Sequence, residues 1–315
     1  MIKVLTSGPL TTVQDLGRSG YQSIGVPESG PMDRFAARCA NLLLGNMENS
    51  PLLEATLIGP TLQFEVGGKI CITGGNFQPL LEGRPLENWK VEDVEKGNRL
   101  SFKGRKSGAR IYIAFQGGIS KSILDNVMGS VSTYIQGGFG GIRGSPIKKG
   151  DEIFLDDSIA QVPKITITPP DTFPETVNLR IIPGPQDKLF KEDALKVLTS
   201  SIYSVSISSN RVGIRLDGPS LSHKKRADVI SDGTAFGVIQ VPGDGQPIML
   251  ACDRGTTGGY AKIATVITAD HSKLAQLIPG NTVTFEYSET KSALFEMDRI
   301  EEMIRQLLPD KTCLS

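Results

Sequence analysis

Short apolar runs recur along the whole chain, separated by glycine and proline. They fall at residues 2–5, 69–73, 110–115, 178–182, 203–207, 247–251 and 263–268, and most contain β-branched residues. Runs of that length and composition predict strands, because branched side chains fit a pleated, half-buried surface. Three stretches carry a helical period instead. The first opens at Pro31, where a missing amide costs nothing, and sets Phe35, Cys39, Leu42 and Leu43 on one stripe before Gly45. The second is expected over 187–198. The third covers 295–308, with Ile300, Met303, Ile304 and Leu307 on one side. KGNRLSF (96–102), KGDEIFL (149–155) and PGNTVTF (279–285) each place a glycine turn ahead of an alternating strand, a frequent entry into the closing strand of a barrel. The pattern predicts a mainly β protein of two packed β-rich domains with a few short helices. A passage at 162–174 holds four prolines and no helical period. The boundary is expected there, giving an N-terminal β-rich domain with a helical excursion over 1–165 and a C-terminal β-barrel domain with a terminal helix over 166–315.

Composition narrows the partners. At 315 residues the chain is long for a single core. Lys+Arg and Asp+Glu both number 34, so no global field draws nucleic acid or an anionic membrane, and neither is an expected partner. Basic groups cluster at 103–110 and 223–226 without interleaved aromatics, and read as solvated turns. No apolar segment approaches the roughly 20 residues of a membrane span, and the N-terminus lacks a signal-like core. Cys39, Cys71, Cys252 and Cys313 are scattered singletons, which argues against a disulfide framework or a structural metal and fits a reducing cytoplasm. With His223 and His271 as the two histidines, no self-sufficient hydrolase triad can be read.

Chemistry concentrates in three segments. In the stretch 237–260, GVIQVPGDGQPIMLACDRGTTGGY, an apolar run separates two glycine-rich parts. The second part groups Asp253, Arg254, Thr256, Thr257, Gly258, Gly259 and Tyr260. Amides of consecutive turn residues can cradle an oxyanion, with threonine hydroxyls as further donors. Gln240 and Gln246 offer the donor–acceptor pair that suits a lactam or urea. A plain structural hairpin is the alternative. In the stretch 13–33, VQDLGRSGYQSIGVPESGPMD, Asp15, Arg18 and Tyr21 precede Ser29 and Asp33 at a helix start. Arg18 can clamp a carboxylate or phosphate, and the helix end can receive an anion. Alternatively Asp15 and Arg18 pair internally, and Asp33 simply favours the first turn. In SNRVGIRLDG (209–218), Arg211, Gly213 and Arg215 are expected on one strand face, holding a planar anion or pairing with nearby acids. GGFGGIRG (137–144) reads as a candidate lid and lacks the Lys-Ser/Thr ending of a phosphate-binding loop.

These segments together resemble the allophanate-hydrolase-subunit-2 family, also known as the biotin-dependent carboxyltransferase A/B or KipA-like family. NLLLGN (41–46), LEATLIGPTLQF (53–64), ITGGNF (72–77), IPGPQDKLF (182–190) and DRGTTGGYAKIATVITAD (253–270) extend the likeness across residues 1–287. The resemblance implies a cyclophilin-like β-barrel in the second half. For a stand-alone member of this length it implies the role of the C subunit in an ATP-dependent 5-oxoprolinase, which opens the lactam of 5-oxo-L-proline to L-glutamate. It implies two partners, a KipI-like B subunit plus a lactam-handling A subunit, with ATP at the level of the complex. Two alternatives follow from the same family: biotin-dependent carboxyl transfer to a urea-like amide, and KipA-like relief of a KipI-like histidine-kinase inhibitor. Without the Met-Lys-Met context of a biotinyl lysine, covalent biotin is not expected. The resemblance points to the 13–33 loop, Arg211–Arg215, Gln240 and Thr256–Tyr260 as cleft residues; Arg18, Arg211, Arg215 and Thr257 are then expected in catalysis, with Asp15 or Asp253 as the proton-handling or orienting carboxylate. It places Tyr21, Ser29, Asp33, Gln240, Thr256, Gly258, Gly259 and Tyr260 in binding, in a site completed on assembly with the KipI-like partner.

Overall fold

The apolar runs of the sequence are strands in the computed structural model, which describes residues 1–157, 162–164, 167 and 173–307. Contacts group the chain into two units. Unit 1 comprises Met1–Arg18, Ser29–Thr172 and Glu301–Ser315, and unit 2 comprises Ser19–Glu28 and Phe173–Ile300. A single cut therefore does not separate them, and most of the expected boundary at 162–174 lies outside the described residues.

Unit 1 holds β1 (Ile2–Thr6), β2 (Leu10–Gln14), α1 (Arg34–Leu43), β3 (Leu52–Thr56), β4 (Thr61–Phe64) and β5 (Gly68–Asn76). It continues with β6 (Pro79–Leu81), β7 (Arg84–Pro85), β8 (Val91–Val94), β9 (Arg99–Phe102), β10 (Ser107–Phe115) and β11 (Glu152–Ile153). Two sheets form, in the orders β11-β1-β4-β9-β6-β7 and β2-β3-β10-β5-β8. Ile2, Val4, Leu62, Phe64 and Leu100 of the first meet Val13, Leu53, Ile72, Ile111 and Phe115 of the second in one core. Because side chains alternate along a strand, Thr73 of β5 is turned from that core and its hydroxyl donates to the Ala36 carbonyl of α1, at 2.7 Å. The helix thus covers the outer face of the second sheet.

Unit 2 is a barrel. Its elements are β12 (Thr176–Pro183), α2 (Ala194–Ser200), β13 (Tyr203–Val205), β14 (Gly213–Asp217), β15 (Asp228–Gly233), β16 (Val238–Val241), β17 (Ile248–Leu250), β18 (Thr257–Val266), α3 (His271–Ala275), β19 (Thr282–Tyr287) and the greater part of α4 (Thr290–Arg305), whose residues from Glu301 on are grouped with unit 1. The order β12-β19-β13-β14-β17-β16-β18 closes through antiparallel pairing of β12 with β18. Seven strands thereby lose their free edges, and this is the barrel component that the family resemblance implies. Leu179, Ile181, Tyr203, Ile214, Ile239, Met249, Ile263 and Phe285 fill it. β15 lies outside the closed ring, paired with the first half of β18.

Three elements differ from expectation for local reasons. The helix expected over 187–198 is broken, because Phe190 turns its buried ring inward in extended conformation and bridges His223. A 3-10 turn therefore precedes α2. The last helix starts earlier, at Thr290, and residue 308 of its expected end lies outside the described residues. Most consequentially, the strand expected from 263 begins at Thr257 and absorbs the glycine-rich segment. Among the described residues, no helix is long and apolar enough to cross a membrane.

One buried ion cluster secures the barrel. Asp270, with no exposed surface, accepts from Arg180 Nε at 3.0 Å, Arg180 Nη2 at 2.9 Å and the Arg180 backbone N–H at 2.8 Å. Lys273 adds a contact at 2.9 Å. Burial alone would raise the Asp270 carboxyl, but the Arg180 and Lys273 bonds reverse it and hold it below its ordinary value of 3.8. A depressed carboxyl stabilises the fold above its unfolded pKa, and that contribution is lost as pH falls through the folded value. Asp270→Asn is expected to destabilise unit 2 by about 3 kcal/mol at neutral pH. Below about pH 4 the gap between variant and parent should narrow, read by denaturant unfolding across pH.

Candidate functional site

In unit 1 the polar residues of the 13–18 segment hold a loop. The Asp15 carboxylate accepts from Ser132 Oγ at 2.6 Å, Val131 N at 2.9 Å, Gly17 N at 3.0 Å and from Ser130 Oγ. Four donors occupy it, so it is no open base. Arg18, 1% exposed, donates to the Ser132 carbonyl from Nη2 and lies 4.9 Å from the centroid of Phe139. Its clamp closes on backbone carbonyl and aromatic face. The glycine-rich stretch expected to be a lid is accordingly pinned. Gly141 N donates to Val131 O at 2.7 Å, and a side chain at Gly140 would meet the Ser132 carbonyl at 2.0 Å.

The helix start is also committed. Asp33 caps α1, its Oδ1 accepting from Ala36 N at 3.0 Å, so the amide and field that would greet an incoming anion already face a carboxylate. Asp33 N donates to the Tyr112 hydroxyl at 2.7 Å, and that hydroxyl donates to Glu54 Oε2 at 2.8 Å. Burial, with Glu54 nearby, pushes Tyr112 up. Ser29 is 3% exposed at φ 54°, with its hydroxyl unpartnered among the described residues. Tyr21 belongs to unit 2, half-buried at the start of a 3-10 turn, where its carbonyl accepts from Ile24 and Val26.

Unit 2 rearranges its own candidates. Arg211 and Asp253 meet as a buried pair, with Nε to Oδ2 at 2.8 Å and Nη2 to Oδ1 at 3.2 Å. Each side chain is about 6% exposed, and Asp253 N also donates to the Arg211 carbonyl at 2.8 Å. The two therefore tie the turn before β18 to the segment before β14. Arg215 does not share this position. β14 begins only at Gly213, so strand alternation does not extend back to Arg211, and Arg215 is exposed. Gln246 is spent on both backbone groups of Gly218.

The expected oxyanion cradle at Thr256–Gly259 is absent, because Thr257, Gly258, Gly259 and Tyr260 are extended in β18, with Thr257 and Tyr260 exposed. Successive amides of a strand point to opposite edges and cannot converge. The Thr256 carbonyl accepts from Thr234 N at 3.1 Å. The glycines have another use. A side chain at Gly258 would meet Gln240 Nε2 at 2.3 Å, so the missing Cβ is what admits that amide, which donates to the Tyr260 carbonyl at 3.3 Å.

Beside Gln240 stands a residue that sequence reasoning passed over. β16 and β18 pair with a register shift that brings Gln240 opposite Lys262. Lys262 is 2% exposed, yet its Nζ lies 3.3 Å from Asp232 Oδ2, whose side chain is 62% exposed. Its backbone N–H donates to Gln186 Oε1 at 3.2 Å. The Gly233 amide, then Lys262 and Gln186, hold the Asp232 carboxyl below its ordinary range. A buried ammonium matched by a solvent-facing carboxylate, with two glutamines alongside, can donate to a carbonyl oxygen as negative charge develops. Arg254 is a second buried cation, 5% exposed. Its Nε has no partner among the described residues, and Glu28 lies 3.9 Å from Nη2. Burial pulls its pKa down. Among the described residues no group of three His, Cys, Asp or Glu could hold a metal, and burial pushes the Cys39 and Cys71 thiols up.

Residues 24–287 match the family described as carboxyltransferase domain, subdomain A and B. The chain belongs to that family. It is 34% identical to the C subunit of 5-oxoprolinase from Haemophilus influenzae, covering 99% of this chain and 100% of that protein. It is 36% identical to the corresponding 5-oxoprolinase protein of Escherichia coli over 93% of each. Among solved structures it resembles the urea amidolyase of K. lactis, at TM-score 0.89 and 31% identity, covering 97% of this chain but 20% of that one.

For this carboxyltransferase A/B chain, the signal for Lys262 was a lone charge inside the mostly apolar YAKIATVI. Starting the strand at 263 left it in a loop. Asp253→Ala removes the carboxylate from the buried Arg211–Asp253 pair and is expected to cost about 3–5 kcal/mol in denaturant unfolding. Gly258→Ala is expected to drive the Gln240 amide off the Tyr260 carbonyl, shifting its side-chain NMR signals. Gly259→Ala, which meets nothing nearer than Ser231 Oγ at 3.5 Å, should leave them in place.

Proposed function

We propose that this chain is the C subunit of an ATP-dependent 5-oxoprolinase. It works with a KipI-like B subunit plus a lactam-handling A subunit to convert 5-oxo-L-proline to L-glutamate. The observation that carries the reading is coverage. The match to the 5-oxoprolinase protein of H. influenzae extends over 100% of that protein, whereas the urea amidolyase of K. lactis is matched over 20% of its length. A lactam is resonance-stabilised, and its opening puts negative charge on the carbonyl oxygen. In this reading the Lys262 ammonium meets that charge, held in place by Asp232, while the Gln240 amide orients the ligand. Asp15, Arg18, Asp33, Arg211 and Asp253 position loops, a role their hydrogen bonds support. ATP enters at the level of the complex, biotin is not attached to this chain, and the site of action is the cytoplasm.

Carboxyl transfer to a urea-like amide is the second reading, favoured by the fold shared with urea amidolyase at TM-score 0.89. The two separate in one assay. ATP-dependent glutamate formation should require this chain together with both partners, and should continue without bicarbonate or biotin. Complete lactam cleavage by the chain alone would contradict the proposed division of labour. A strict requirement for bicarbonate and biotin, with a urea-like acceptor, would replace the first reading by the second.

A further inference from the structure

A cavity of about 840 Å³ opens on unit 2 beside the Lys262 group. Lys188, Lys224, Lys225 and Arg226 line it, with Leu189 and Ile230 as an apolar wall. Two segments bring these cations together. Lys224 N donates to Leu189 O at 2.8 Å, and Lys191 N donates to Ser222 O at 2.9 Å. Between these bonds the rings of Phe190 and His223 pack with centroids 4.5 Å apart, tilted by 36°. The basic run 223–226 is therefore anchored in backbone hydrogen bonds, and three of its residues face a cavity, which its reading as a solvated turn did not anticipate.

The opposite wall is a bulge. Asp228 pairs with Tyr260 and Asp232 with Gly258, so four steps along β15 match two along β18. The surplus pushes out Val229, Ile230 and Ser231, and Ile230 is left 92% exposed at the rim. Among the described residues none of the four cations has an ion-pair partner. Of the two acids lining the cavity, Asp232 is already matched by Lys262, which leaves Asp228 alone against four positive charges.

Four unpaired cations exceed what a single carboxylate would recruit, and an apolar rim would be wasted on a bare ion. We propose that this cavity is a subsite for a phosphate-bearing small molecule, with the phosphates against Lys188, Lys224, Lys225 and Arg226 and the organic part against Leu189 and Ile230. The assignment stands on the cavity and not on the lactam reading. Binding is measured on the chain alone, so either idea can fail without the other.

The test is calorimetric titration of the chain with pyrophosphate, magnesium-free ATP, inorganic phosphate and 5-oxo-L-proline, at about 50 mM and about 300 mM salt. Pyrophosphate and ATP should bind saturably and more weakly at high salt, and 5-oxo-L-proline should bind least at this site. ATP binding tighter than pyrophosphate would assign the apolar rim to the nucleoside. The triple reversal Lys224→Glu/Lys225→Glu/Arg226→Glu should weaken both by at least about tenfold. Reversal of the exposed unit 1 residues Lys103, Arg105 and Lys106 to Glu changes net charge equally and should not. Lys224→Gln/Lys225→Gln repeats the comparison if the triple variant unfolds earlier than the parent. Absence of saturable phosphate binding, an equal loss in the unit 1 control, or ATP binding without pyrophosphate binding would overturn the proposal.

Discussion

A lysine ammonium out of water has to be matched, and the candidate site of unit 2 follows from how Lys262 meets that requirement. Its stem sits in the wall of a closed barrel, and its charge is answered by Asp232 on a strand outside the ring. An isolated buried charge costs several kcal/mol, whereas a partner facing solvent keeps its own hydration and loses less. The register shift opposite Gln240, the missing Cβ at Gly258 and the Gln186 contact all serve the same small volume. The result is a cation already desolvated, with amides around it, needing little rearrangement to receive a polar ligand.

Unit 1 shows the opposite use of the same residue types. Asp15 and Arg18 sit side by side in a glycine-rich loop and invite a reading as ligand handles. Both instead organise the segment around residues 130–141, the carboxylate gathering hydroxyls and an amide and the guanidinium taking a carbonyl. A buried loop cannot leave its backbone groups unpaired, and ionised side chains give the strong bonds that satisfy them. Asp33 and Glu54 do the equivalent work ahead of α1. Charge in a loop is thus no guide to chemistry until its partners are known.

The strands and the first helix were legible because they depend on local pattern: β-branched runs and a proline at a helix start. The glycine turns ahead of 99–102 and 152–153 lead instead into β9 and β11 of a unit 1 sheet, and the barrel closes through β12 and β18. The broken helix at Phe190 was not legible, since a distant bridge to His223 decided it. The glycines at 258–259 misled, because they read as a turn but lie in a strand, where the missing Cβ of Gly258 admits Gln240. Pairing across sequence was equally hidden. Nothing local says that Arg211 faces Asp253, or that Lys262 reaches Asp232 through a bulge. The family, by contrast, was carried by motif order across the chain, which survives errors at individual sites.

In the proposed reaction the Lys262 charge takes part in turnover and not merely in folding. Its most direct test is steady-state glutamate production by the assembled complex carrying Lys262→Met, which keeps much of the buried stem and removes the ammonium. The complex is expected to stay intact while kcat falls by about a hundredfold or more. An assembled, fully folded variant turning over at the parent rate would contradict that role.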